Sequence, residues 1–559
     1  MSELAEILGK DRIAYFSMEI ALAKNIPTYS GGLGILAGDT IRSSAELNLP
    51  LVGISLVNSS GYFLQRLDEN GMQSEEAQNW SPSEHMELLG AEATVLVERR
   101  DVKVKGWLYE HRSFTGGMIP VIFLDTDVEG NSRQDREITR YLYGGDERYR
   151  LMQELILGTG GVRLLEKLGF SIMKYHMNEG HSSFLTLELL QRYGGDEDQV
   201  RRTCVFTTHT PVASGHDTFP FEMVEGVVND PGQMELLRKF GESEGRLNMT
   251  VLALNLSGHV NGVAKRHKEV SEQMFPGYKF NSITNGVHSY TWVCPQFREL
   301  YDRYIPGWAN EPELLVRVRN IPNGEIWRAH RDAKKELIDY VNREKGIGLS
   351  HDVLTIGFGR RMAEYKRPAF VFSDLKRLRK VNDAGRIQFI FAGKAHPRDE
   401  RGKEIIREIF GYMHELRESV KIVFLENYDM DLALKMIAGV DVWLNTPKQP
   451  YEASGTSGMK ASHNGVVNFS VLDGWWIEGC VPGVTGYAIG PAPGMERSPE
   501  EAESMELDDL YYKLEYVIIP EYYNRRDEWI NIMKNSIGMI AYYFNTHRMM
   551  RRYVTETYF

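Results

Sequence analysis

Residues 387–427 read IQFIFAGKAHPRDERGKEIIREIFGYMHELRESVKIVFLEN. An apolar run, 387–393, precedes a stretch, 399–417, in which charged and apolar residues alternate at helical spacing. A second apolar run follows at 422–427. Strand, amphipathic helix and strand in that order form a unit whose two strands lie parallel. The pattern extends in both directions. Runs rich in Val, Ile and Phe at 354–361, 440–445 and 466–472 belong to the same series. An earlier, more strand-rich series occupies 13–20, 51–57, 120–125, 172–178 and 203–210, with a helical pattern at 148–168. Strands alternating with helices imply parallel sheets covered on both faces. The expected fold is α/β, with two doubly wound, Rossmann-like domains. The boundary is expected within 320–350, where a hydrophilic helix pattern, 325–345, precedes Gly346-Ile347-Gly348 and a fresh strand. The expected division is a first domain over 1–335, a second over 336–525, and a terminal segment, 526–559. The pattern at 527–558 reads as helix packing back across the domains. Ligands of such sheets sit at the carboxyl ends of the strands, which points to a central cleft faced by the two domains.

With 559 residues, 42% hydrophobic and 25% charged, the chain can build large cores without staples. Its 77 acidic against 65 basic side chains, a formal net charge of −12, argue against nucleic acid as a partner. They leave room for a small anionic ligand in a local cationic pocket. Cys204, Cys294 and Cys480 have no paired spacing, so neither a disulfide framework nor a zinc site is expected. The first residues, MSELAEILGKDRIAYF, lack the basic and apolar regions of a secretory signal. No run approaches the roughly 20 apolar residues a membrane helix needs. A soluble, cytoplasmic protein is the expectation.

Three segments could carry chemistry. In TYSGGLGILAG, 28–38, Gly31, Gly32 and Gly34 allow a close backbone turn before a helix start. Read alone, it is a structural turn or an anion site on helix amides. A dinucleotide site is disfavoured, because no strand leads directly into it and 51–57 ends without an acid. In IGFGRRMAEYKRP, 356–368, Arg360, Arg361, Lys366 and Arg367 gather where a strand meets a loop. They could bind an oxyanion or form a solvated basic surface. In YEASGTSGMKASHNGVVNFSVLDG, 451–474, small residues run from Glu452 to Lys460. Such a loop offers amides and hydroxyls to an oxyanion, and a lysine shielded from water can attack an aldehyde. It could equally be a polar turn before a helix, and it is not a P-loop. His176, Glu179 and His181, and likewise His209 and His216, lack the spacing that aligns metal ligands on a helix. No metal is expected, and core or sugar-contacting histidines are the alternative.

In combination these segments resemble a known family. EASGTSGMK, followed by NG and LDG, is similar to the cofactor-lysine segment of the glycogen and maltodextrin phosphorylases. GRRMAEYKR resembles that family's phosphate-binding strand end, and SGGLGILAG its glycine-rich loop. FLENYDMDLA, FAGKAHP, SITNGVHSYTW, NEGH and TTHTP also match family blocks, in family order, from residue 13 to beyond 475. The resemblance is to the shorter class of α-glucan phosphorylases, which have the GT-B glycosyltransferase architecture.

The resemblance implies pyridoxal 5′-phosphate, attached through a Schiff base to Lys460. Arg360, Thr456 and Ser457 would hold its phosphate, with Tyr428 nearby and Trp292 against the ring. Arg361, Lys366 and the amide of Gly32 would bind the substrate phosphate. Glu452, Ser454, Gly455, Tyr365, Asn285, Leu33 and His209 would line or contact the terminal glucose. The implied reaction is retaining phosphorolysis of terminal α-1,4-glucosidic bonds by inorganic phosphate, giving α-glucose 1-phosphate. The cofactor's phosphate would serve as a proton relay, and Glu452 would accept sugar hydroxyls. The family usually forms dimers or larger assemblies, so a homo-oligomer is expected. Some positions depart from the pattern. Ala363 stands where the family has histidine, and the segment containing His259 is shortened. The shorter class implies no phosphoserine or nucleotide control. Trp475 and Trp476 are expected to pack rather than bind glucan. The rival readings are a sugar-nucleotide-dependent glucan synthase and a non-catalytic glucan-binding homologue.

Overall fold

The computed structural model describes residues 10–494 and 498–559, apart from the side chain of Ser214. The first nine residues, over which the leader reading partly runs, lie outside the described residues. The chain divides into two compact units. One draws on Met1–Phe63, Ala77–Thr284 and Met549–Phe559, the other on Leu64–Glu76 and Asn285–Arg548.

The first unit is built on a nine-stranded sheet, counted among the described residues. In chain order its strands are β1 (Asp11–Ser17), β2 (Leu51–Leu56), β3 (Glu87–Val97), β4 (Arg100–Arg112), β5 (Met118–Asp125), β6 (Ser171–Asn178), β7 (Cys204–Thr207), β8 (His259–Gly262) and β9 (Asn281–Ser282). The spatial order is β9-β8-β7-β6-β1-β2-β5-β4-β3. From β9 to β5 every pairing is parallel, and β4 and β3 add an antiparallel ribbon. The central strands are apolar throughout because helices cover both their faces. LVGISL of β2, for example, is buried at every position. The ribbon instead alternates, burying Val95, Val97, Val102 and Val104 on one face. Its turn places Glu98 and Arg99 at φ +51° and +64°. Without the Asn-Gly or Asp-Gly pair that marks such turns, it escapes a reading of sequence alone.

The second unit has a six-stranded, wholly parallel sheet among the described residues: β10 (Leu354–Gly359), β11 (Ile387–Ala392), β12 (Lys421–Leu425), β13 (Val442–Asn445), β14 (Val467–Val471) and β15 (Gly486–Ile489). The order β12-β11-β10-β13-β14-β15 is the 3-2-1-4-5-6 arrangement of doubly wound sheets. All ten runs named from the sequence as strands are strands here, with ends shifted by up to a few residues.

The junction between units falls at Thr284/Asn285, not at 335/336. The reason lies in the helix Asn323–Lys345, whose mostly polar surface reads as linker-like. Its His330 Nε2 and Lys334 Nζ reach Asp441 at 2.8 Å and 2.6 Å, and Asp441 also accepts the Thr355 amide at 2.7 Å. The helix is thereby bolted to β10, the innermost strand of the second sheet. The terminal segment, expected as one helix over 527–558, is broken at 542–545. Asn545 caps a new helix by accepting the Arg548 amide at 2.9 Å, and donates back to the Tyr542 carbonyl at 2.7 Å. Among the described residues no helix is long and apolar enough to cross a membrane.

Candidate active site

In the first unit the glycine segment opens a helix, Gly32–Glu46, directly after Gly31. Glu19, just past β1, accepts the amides of Ser30 at 2.5 Å and Gly31 at 3.2 Å, and the Tyr143 hydroxyl at 3.0 Å. Burial raises its carboxyl pKa, and these donors offset only part of the rise. A resident carboxylate thus fills the start of the turn. The first-turn amides of Gly32, Leu33 and Gly34 have no intrahelical acceptor. A Cβ on Gly34 would lie 2.7 Å from both Glu19 Oε2 and Tyr29 Cβ, so packing alone demands glycine there. A Cβ on Gly31 or Gly32 would meet nothing within 4 Å. Those two glycines are not required by internal packing, and they leave the backbone open to a ligand. Packing thus accounts for Gly34, while Gly31 and Gly32 stand clear of neighbouring atoms.

His209 follows β7. Burial, then His267 and His181, push its imidazole down to about 3, so it is neutral at ordinary pH and can serve a hydroxyl as donor or acceptor. His176 contacts the Tyr558 hydroxyl at 2.7 Å and Thr207 Oγ1 at 2.9 Å, as a core histidine does. His181 Nε2 lies 3.4 Å from Asp217. His216 Nδ1 meets Thr250 Oγ1 at 2.8 Å, and His259 Nε2 meets Thr557 Oγ1 at 3.2 Å.

In the second unit β10 delivers Arg360 and Arg361 at its carboxyl end, and a short 3-10 turn, Glu364–Lys366, follows. Arg360 donates to Asn445 Oδ1 at 3.2 Å and to Glu452 Oε2 at 2.5 Å. Lys366 Nζ reaches the same carboxylate oxygen at 3.4 Å and lies 4.7 Å from the Tyr365 ring centroid. Burial pushes Glu452 up, but Arg360 and then Lys366 outweigh it and hold its carboxyl down at about 2. For Tyr365 too, burial raises the hydroxyl pKa, while Lys366 and the two arginines bring it below its ordinary value. Arg367, the fourth cation of the run, instead donates to the Thr446 and Pro447 carbonyls and pairs with Glu506, which makes it a brace for the loop after β13.

Lys460 stands in the helix Ser457–His463, buried, with Nζ 3.9 Å from the centroid of the buried Trp292 ring. Asn464 ties the two segments together. It accepts the Cys294 amide at 2.8 Å and donates to the carbonyls of Trp292 at 2.7 Å and Lys460 at 3.1 Å. Ser457 Oγ accepts the Trp443 indole N–H at 3.0 Å. Asp473 braces the loop on its other side by accepting the Glu452 amide at 2.9 Å, while the Trp475 amide donates to the Ser454 carbonyl at 3.0 Å. Gly455 turns at φ +74°, a conformation natural to glycine. Tyr428 lies against β10, since a Cβ on Gly359 would sit 2.8 Å from its hydroxyl. Trp475 and Trp476 are 4% and 1% exposed and serve packing.

The second unit thus gathers Arg360, Lys366, Tyr365 and Glu452 into one cluster and Lys460 and Trp292 into another, with Thr456 and Ser457 heading the lysine helix. Three polar atoms of the expected ligand set, Arg360 Nε, Ser454 Oγ and Asn285 Oδ1, are buried and have no hydrogen-bond partner among the described residues. Each of the three can take up a hydrogen bond with a polar ligand. A buried amine against an indole face, on a helix headed by Thr456 and Ser457, has the chemistry to hold an aldehyde that carries an anionic group. Sequence reasoning gave no role to Glu19, nor to Asn464 and Asp473 within the NG and LDG segments; all three act by holding backbone. A buried acid or amide of this kind does not show in one sequence which backbone groups it will meet.

Two expectations follow. A Cβ on Gly458 would lie 2.3 Å from Asn468 Oδ1 and 2.8 Å from Trp475. Gly458→Ala should therefore cost about 2 kcal/mol through overpacking, as checked by thermal melting. Glu452→Ala leaves two buried cations unmatched and should destabilise by about 3–5 kcal/mol in thermal or denaturant unfolding. The carboxyl pKa is depressed in the fold, so its contribution is complete above its ordinary value of 4.5 and fades as pH falls toward about 2. Glu452→Gln should lack that acid-labile component in unfolding scans between those pH values.

The arrangement defines a class: an α/β protein whose second, wholly parallel sheet carries a buried lysine and a cation–carboxylate cluster. Residues 208–480 match the family model described as carbohydrate phosphorylase. The chain is 40% identical to a maltodextrin phosphorylase of Thermococcus litoralis, over 98% of this chain and 70% of that protein. It is 38% identical to a glycogen phosphorylase of Aquifex aeolicus, over 98% and 86%. It is 31% identical to the uncharacterized protein MJ1631 of Methanocaldococcus jannaschii, over 98% and 99%. The chain belongs to the carbohydrate phosphorylase family.

Proposed function

We propose that the protein is an α-glucan phosphorylase. It transfers the terminal α-1,4-linked glucosyl unit of glycogen, starch or maltodextrin to inorganic phosphate and releases α-glucose 1-phosphate with retention. The observation that carries this reading is the second unit's ligand set: a buried Lys460 against Trp292, the Arg360–Glu452–Lys366 cluster, and unpaired atoms on Arg360, Ser454 and Asn285. The family relatives support the same activity.

Pyridoxal phosphate, when bound, would supply a second phosphate able to exchange a proton with orthophosphate. Lys460 would be its covalent mooring, and Arg360, Thr456 and Ser457 would hold its anionic end, with Tyr428 and Trp292 beside it. Arg361 and Lys366 bind orthophosphate and offset the repulsion between neighbouring anions, helped by the Gly32 amide. Glu452, Ser454, Gly455, Tyr365, Asn285, Leu33 and His209 orient the terminal glucose. Orthophosphate gives a proton to the glycosidic oxygen as that carbon–oxygen bond breaks, and its oxygen bonds to the anomeric carbon on the same face. Two carboxylates of the hydrolase kind are not required. Glu452, held ionised by its cations, is suited to accept hydroxyls rather than to donate a proton. We further propose the GT-B architecture, a cytoplasmic location and a homo-oligomeric state.

The test is incubation of malto-oligosaccharides of increasing length with orthophosphate, measuring glucose 1-phosphate and cofactor content together. Glucose 1-phosphate formed in proportion to cofactor content supports the reading. Glucosyl transfer that depends on a sugar nucleotide supports the synthase instead, and glucan binding without turnover supports the non-catalytic homologue.

A further inference from the structure

Glu179 stands where β6 ends, beside the residues that follow β7, in a sheet where Asn178 pairs with Thr207. Its backbone is at φ +75°, ψ 171°, which glycine adopts freely and a glutamate does not. The side chain is 6% exposed. Its Oε2 accepts the His209 amide at 2.7 Å and the Thr210 hydroxyl at 3.0 Å, and its Oε1 accepts the Thr208 hydroxyl at 3.3 Å. The Glu179 amide donates to the Thr207 carbonyl at 2.9 Å. Three consecutive residues around His209 thus close on one carboxylate. A strained backbone bearing a buried acid persists only where its contacts hold it, and such strain collects at functional sites.

We propose that Glu179 is a positioning residue, whose carboxylate fixes the 208–210 turn and so presents the His209 imidazole to the terminal sugar. The inference rests on the reading of His209 as a sugar contact. Burial raises the Glu179 carboxyl and the three donors lower it, leaving it at about 7, so the site tolerates a desolvated acid in order to keep these bonds. A glycine here would suit the backbone better, and glutamate brings nothing to the turn except its two oxygens.

That contrast supplies the test. Glu179→Gly, Glu179→Gln, His209→Ala and the double variant Glu179→Gly/His209→Ala are compared as cofactor-loaded enzymes. The readouts are kcat and KM for maltoheptaose and for orthophosphate, together with melting. Glu179→Gly is expected to relieve the strain, to melt within a few degrees of the parent, and to lose about 100-fold in kcat/KM for maltoheptaose with KM for orthophosphate unchanged. Glu179→Gln keeps one acceptor oxygen and should lose about tenfold. The double variant should be no worse than His209→Ala within about threefold, because both changes remove one function. Multiplied losses in the double variant, or parental glucan kinetics in Glu179→Gly, overturn the proposal. If Glu179→Gly does not fold, the same comparison with Glu179→Gln decides. Parental glucan kinetics in His209→Ala would instead remove the sugar-contact reading itself, and Glu179's role with it.

Discussion

Lys460→Ala is expected to yield a folded protein without the near-ultraviolet band of a lysine-linked cofactor, and with phosphorolysis reduced about 1,000-fold or more. Alanine is the best helix former, so the helix Ser457–His463 should persist. Its anchors lie elsewhere, in Asn464, Ser457 and the close approach of Gly458 to Asn468. What disappears is the amine facing Trp292. Loss of the band and of turnover, with melting little changed, separates a mooring role from a packing one. Full activity in this variant would exclude the assignment.

Arg361→Ala is expected to lower kcat/KM for orthophosphate by about 100- to 1,000-fold, in line with the removal of one charged donor from a developing anion. KM for maltoheptaose should move by less than about threefold. Arg361 leaves β10 beside Arg360, which donates to Asn445 and Glu452. In the proposed reading Arg361, with Lys366, binds the substrate phosphate. Arg361→Lys keeps the charge and loses the fork, so it should recover only part of the loss. Initial rates with each substrate varied in turn provide the check. Equal losses toward both substrates would assign Arg361 to structure instead.

The sheets were legible because parallel strands buried on both faces are continuous apolar runs, and ten such runs stand out. The β3–β4 ribbon was not, since its turn is made by Glu98 and Arg99 and its strands are half polar. The junction at Thr284/Asn285 was misplaced for a related reason. His330 and Lys334 count as surface residues in any hydropathy reading, yet they are buried on Asp441. In the candidate site, the lysine loop and the cation run stand out in the sequence because the chemistry proposed for them calls for particular residue types at close spacing. Glu19 and Glu179 do not, because their role is to hold backbone amides that only the fold brings to them. Arg367 shows the converse: a cation within the motif whose partners are loop carbonyls and Glu506.

The most direct test is borohydride reduction of the active enzyme, followed by proteolysis and mapping of the labelled peptide. The expected outcome is one pyridoxyl group per chain, on the peptide that contains Lys460. A preparation that makes glucose 1-phosphate from maltodextrin while carrying no such label, or carrying it on another lysine, would contradict the account.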